Sequence, residues 1–137
     1  AMKRNRRSRS RRRRGGAIVE LAIALPLLTG VVVATMELSG VIYNMQALQS
    51  TAHECAREAA RRSGTNGRLQ TLGKSILSQR GLKGAVIRTS PGNIANLNRG
   101  TEITVTVSAP YSNNSWLPHS FFNRRAMQAQ TVVVKQY

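Results

Sequence analysis

Glu20 is the residue whose chemistry most needs explaining. It is the only charged side chain in residues 16–36, GAIVELAIALPLLTGVVVATM. An ionised carboxylate inside a membrane helix costs roughly 2.5–3.5 kcal/mol on insertion scales. Such a residue needs either a wet position near the membrane interface or a specific positive partner, and the pattern leaves both open. Immediately upstream stand Arg11 to Arg14 and the pair Gly15 and Gly16. The other reactive side chains form no constellation. His53 and His119 lack companions at ligand spacing, and the only acid after Glu58 is Glu102, so no Ser-His-acid triad can be assembled. Residues 81–84, GLKG, read as a turn and not as a phosphate loop. The single cysteine, Cys55, excludes an intrachain disulfide framework and a cysteine-cluster zinc site. Lying on an apolar stripe, its thiol reads as buried, with an intermolecular disulfide as the alternative in an oxidising compartment. Neither enzymatic activity nor a metal or other cofactor is expected.

The apolar stretch must position Glu20. Its 21 residues span about 30 Å as an α-helix, the thickness of a bilayer's hydrocarbon core. A helix apolar on every side is hard to bury in a chain of 137 residues. The chain carries 21 Lys plus Arg against 5 Asp plus Glu, a net charge of +16. Nine of those basic residues lie in residues 1–15, and none lies between Glu37 and Ala56. This asymmetry predicts a cytoplasmic N-terminus and export of residues from about 37 onward. Residues 1–15 repel one another and offer too little apolar surface to pack, so a solvated arm is expected there. Pro26 removes one backbone donor in mid-segment, which membrane helices tolerate.

Beyond the apolar stretch, Leu38, Val41, Ile42, Met45, Leu48, Ala52, Cys55 and Ala59 recur at helical spacing. Asn44, Gln46, Gln49, Ser50 and Glu54 form the opposite, polar face, and Glu58 stands four residues before Arg62 in the favourable order. The helix is expected to run to about residue 63, with Gly64 as a left-handed cap. Leu69, Leu72, Ile76 and Leu77 predict a short second helix ended by Gly81. Residues 85–88, 102–107 and 129–135 predict three strands. Residues 109–125 read as a long loop, in which Trp116, Phe121 and Phe122 either cover the sheet or contact a partner. The fold class is α+β: a long transmembrane helix continuing as an amphipathic stem, a second short helix, and a small three-stranded antiparallel sheet. The divisions are a basic arm at 1–15, a transmembrane helix at 16–40 and an exported stem helix plus small α+β domain at 41–137. Glu37, at the outer end of the apolar stretch, reads as its interfacial boundary and a candidate contact residue.

A short basic leader, a glycine before the cut, a glutamate five residues after that glycine and a long apolar helix resemble the class III signal of type IV prepilins. The wider stretch from Gly15 to Arg61, with its Leu25-Pro26-Leu27-Leu28 segment, Glu37 and Ala56-Arg57-Glu58-Ala59-Ala60-Arg61, resembles the TadE-like family of minor pilins or pseudopilins of Flp/Tad (type IVc) pilus systems. The resemblance is strong over residues 11–62 and weak over 100–137. It departs from the family pattern in having Leu21 where an aromatic residue is common, Gly16 as the first mature residue, and a cysteine in the stem. It implies a pilin-like fold and cleavage between Gly15 and Gly16 by a prepilin peptidase acting on an extended backbone. Glu20 would then pair with the new α-amine of a neighbouring subunit. The partners implied are that peptidase, other pilins, Tad assembly proteins and membrane lipid. The implied place is the inner membrane, with the exported domain in the periplasm or at the cell surface, in a pilus serving adhesion or secretion. Two other readings remain. One is an uncleaved single-pass membrane protein with an exported partner-binding domain. The other is nucleic-acid binding through the arginine arm, disfavoured because the arm abuts a membrane segment and lacks interleaved aromatics.

Overall fold

The computed structural model describes residues 8–115 and 126–136, with side chains from residue 15 onward. Helix α1 runs from Ser8 to Ala60, 53 residues, with Pro26 inside it. The chain divides into two compact units at Leu38/Ser39, and α1 contributes to both.

In the first unit the helix carries apolar side chains all round and buries almost none. Leu27 is 73% exposed, Ile23 71% and Ile18 67%. The helix from Gly15 is long and apolar enough to cross a membrane. Inside it, the hydroxyls of Thr29 and Thr35 donate back to the carbonyls of Leu25 and Val32, both at 2.8 Å, which hides their polarity within the helix. Two expectations change here. Residues 8–14, expected in a solvated arm without structure, have helical backbone. The Gly15–Gly16 pair, expected to be extended, is helical as well. Arginine is a good helix former, and a helix already nucleated by the apolar stretch propagates through two glycines at about 1 kcal/mol each.

In the second unit α1 supplies one wall of a small core. Ala47, Leu48, Thr51, Ala52, Cys55, Ala56, Ala59 and Ala60 are buried. The stripe is therefore as expected from Leu48 onward. Its upper members Leu38, Ile42 and Met45 are exposed, and Asn44, expected on the polar face, is half-buried. Helix α2 (Asn66–Gln79) packs Leu69, Gly73 and Leu77 inward, and its N-terminus is capped by the Thr65 hydroxyl, which accepts from the Arg68 N–H. Gly81 ends it in the left-handed region, φ 76°. Leu82 N–H bonds the Leu77 carbonyl at 2.9 Å and Gly81 N–H that of Ser78 at 3.1 Å, while the side chains of Leu82 and Leu77 meet in the core.

Strands β1 (Val86–Ser90), β2 (Glu102–Pro110) and β3 (Ala126–Val134) form one antiparallel sheet in the order β1-β2-β3. A short 3-10 turn, Tyr111–Asn113, follows β2. The register sets Ile87 opposite Val107, Ile103 opposite Val133 and Val107 opposite Ala129. The inward row of β2 is Ile103, Val105, Val107 and Ala109, all buried. Strand β2 runs three residues further than expected, because Ser108, Ala109 and Pro110 pair with Gln128, Met127 and Ala126. Residues 132–134, which read as apolar on both faces, alternate: Val133 packs on the core while Val132 and Val134 are exposed.

The expected cap at Gly64 is not a left-handed one, since no positive φ occurs there. Glycine is needed for space. A Cβ at Gly64 would stand 2.6 Å from the Glu58 carbonyl oxygen and 2.9 Å from that of Ala59. The expected Glu58–Arg62 pair is likewise replaced. Because α1 stops at Ala60, Glu58 pairs with Arg61 at 3.2 Å and Arg68 at 3.9 Å.

Candidate functional site

Gly15, Gly16 and Glu20 lie within two turns of one exposed helix. Gly16 and Glu20 are four residues apart, which places them one above the other on the same face. Nothing crowds either glycine: a Cβ built on Gly15 or Gly16 meets no atom within 4 Å. Glu20 is exposed. Glu37 is half-buried and takes part in a polar interaction. It lies seventeen residues beyond Glu20, about 25 Å along the helix, so the two acids belong to opposite ends of the apolar stretch. Trp116, Phe121 and Phe122, expected as contact residues, lie outside the described residues. The geometry thus sets the glycine pair beside Glu20 and separates both from Glu37.

The second unit holds polar fixtures that the sequence reading did not single out. Lys135 is buried, 2% exposed, and its ammonium donates to the carbonyl oxygens of Ala59 at 3.3 Å, Arg61 at 2.9 Å and Ile94 at 3.4 Å. Two of these carbonyls lie at the C-terminal end of α1, where helical backbone lacks acceptor partners and carries partial negative charge. A signal for this was present. Met127, Ala129, Thr131 and Val133 alternate inward along β3, and the same parity carries on to Lys135. Asn66 accepts from the Ile94 N–H at 3.2 Å and donates to the Gly92 carbonyl, clamping that loop. Asn114 accepts from the Lys83 N–H at 2.8 Å and donates to the Pro110 carbonyl at 2.8 Å. Its own backbone carbonyl accepts from Asn44 at 3.2 Å, which explains why Asn44 is drawn inward.

Cys55 is fully buried and its thiol donates weakly to the Leu69 carbonyl at 3.8 Å. Burial, and secondarily the charge of Glu54, push the thiol up to about 11. A neutral, enclosed thiol is inert as a nucleophile and cannot reach another chain's sulfur while the domain is folded. Among the described residues no three His, Cys, Asp or Glu side chains gather as metal ligands.

No curated protein and no solved structure matches this chain. A family model does match: that of the TadE-like protein, over residues 15–57. The matched stretch begins at the first glycine of the pair, runs through Glu20, the apolar helix and Glu37, and ends inside the buried stem. Over that stretch, about a third of the chain, the sequence is similar to TadE-like proteins.

Proposed function

We propose that this chain is the precursor of a minor pilin or pseudopilin of a Tad-type pilus. The reading rests on one conjunction: a TadE-like match that starts at Gly15 and an unburied apolar helix whose single charge, Glu20, lies four residues past Gly16. The helix anchors the precursor in the inner membrane, with the nine basic residues of the leader on the cytoplasmic side. A prepilin peptidase cuts between Gly15 and Gly16, removing those charges and creating an α-amine. The helix must open locally for the cut, and two adjacent glycines lower that cost because their backbone gains the most freedom on unwinding. In an apolar bundle of helices the Glu20 carboxylate needs a cation, and the new amine of a neighbouring subunit supplies it, setting the axial register. The stem domain then faces the periplasm or cell surface, where it contacts other pilins and the assembly proteins that use the fibre for adhesion or secretion.

N-terminal sequencing of the membrane form, from cells with an active prepilin peptidase, tests the reading. A chain beginning at Gly16 supports it, and an intact leader overturns it. The intact outcome corresponds to a second reading, an uncleaved single-pass membrane protein, and the unbroken helix across Gly15–Gly16 favours that alternative.

A further inference from the structure

Strand β3 pairs with β2 on one side only, and among the described residues no strand lies along its other edge. Beside that edge runs a groove of about 530 Å³ between the stem part of α1 and β3. His53 and Arg57 line it from the helix, Arg61 from just past the helix end, and Thr131, Val132 and Gln136 from the strand side. Arg61 is held by Glu58 at 3.2 Å. Among the described residues the side chains of Arg57 and His53 have no hydrogen-bond or ion-pair partner. Thr131 carries the only buried side-chain oxygen, among the described residues, that lacks a hydrogen-bond partner. An unpaired strand edge and unpaired basic side chains thus share one groove.

Each of these wants a different part of the same ligand. Unpaired backbone groups along a strand edge accept an added strand. Arg57 wants an anion, and its guanidinium suits a carboxylate. A second copy of this chain meets the strand requirement but would bring Arg57 and His53 towards their own duplicates. We infer that the free edge of β3 is a docking site for an extended, acidic segment of a partner protein, which adds as a fourth strand and sets a carboxylate against Arg57. This inference rests on the groove alone and holds whether or not the leader is cleaved.

The test uses the full chain in detergent, with an end-capped peptide of alternating valine and glutamate as the probe. Hydrogen exchange of the amides at residues 131–133 is followed as peptide is added. That readout ignores peptide held by the basic arm. Protection of these amides is expected to saturate, and Arg57→Gln, a change on the exposed helix face, is expected to raise the half-saturating concentration roughly tenfold. Arg88→Gln, on the opposite edge strand, is expected to leave it unchanged. Three results overturn the inference: equal protection by a valine-glutamine peptide, binding without protection of β3, or protection that grows with protein concentration alone. The last would assign the edge to a second copy of the chain.

Discussion

Glu20 would be a liability if it acted alone and an address if it acts in a pair. Glu20→Gln removes the charge while keeping the shape. Membrane insertion should be preserved or slightly improved, since the desolvation cost disappears. Incorporation into fibres should fall, and the two effects separate in a fractionation that compares membrane and sheared-pilus pools. Unchanged incorporation would remove the registration role. Cys55 gives a pH prediction of definite sign. Its thiol goes from 9.0 to about 11 in the fold, so the unfolded chain loses this proton first. The contribution is therefore complete below pH 9 and drains away as pH rises towards about 11, at no more than about 1.4 kcal/mol per pH unit. Urea midpoints measured across that window should fall more steeply for the parent chain than for Cys55→Ala. Lys135 is the third residue to act on. Replacing its ammonium by a methionine side chain leaves three carbonyls without their donor, at about 1–3 kcal/mol for each one kept from water. Relief from burying the charge offsets part of this. A net loss of about 2 kcal/mol is expected for Lys135→Met, read from urea unfolding of the full chain in detergent.

At the scale of elements, the contact between α2, α1 and β1 is set by the absence of a side chain. A Cβ on Gly73 would stand 2.1 Å from Cδ1 of Ile87 and 3.1 Å from Sγ of Cys55. Gly73→Ala gains about 1 kcal/mol of helix propensity and loses about 1–3 kcal/mol to overpacking, so a small net destabilisation is expected. Gly73→Val should lose clearly more. Ile87→Val deletes the offending Cδ1, so the double variant with Gly73→Ala should be more stable than the two separate changes sum to. A thermodynamic cycle of unfolding energies measures that coupling. The same region shows what periodicity discloses. Leu69 and Leu77 announced α2, Gly81 announced its end, and the alternation from Glu102 to Val107 announced β2, because each is a local pattern with one structural solution. Gly73 gave no such signal and Gly64 suggested a left-handed cap instead, since the need for glycine there comes from atoms distant in the chain or folded back on it. The inward turn of Asn44 depends on Asn114, seventy residues away, and the burial of Lys135 on a strand register that only pairing with β2 establishes. At the site, Glu20 and the glycine pair were legible because an isolated charge in an apolar run is conspicuous. The β3 groove was not, because its parts come from residues 53–61 and 131–136.

For the molecule as a whole, the charge is concentrated where topology is decided. Nine of the 21 basic residues precede the apolar helix. Changing Arg11, Arg12, Arg13 and Arg14 to serine leaves five basic residues before the helix, and a fraction of chains should then insert in the opposite sense. Protease protection of the stem domain in spheroplasts measures that fraction. Uniform insertion in the original sense would show that the remaining charges suffice.

The tie between Lys135 and the end of α1 reaches across 74 residues of sequence. A nascent chain emerges from the ribosome in order, so the stem's terminal carbonyls wait for their donor until residue 135 has left the exit tunnel. Until then the sheet also lacks its third strand. Everything between stays pliable and threadable during synthesis, and snaps shut late. Under the proposed orientation, that delay keeps the domain unfolded until it has crossed the membrane.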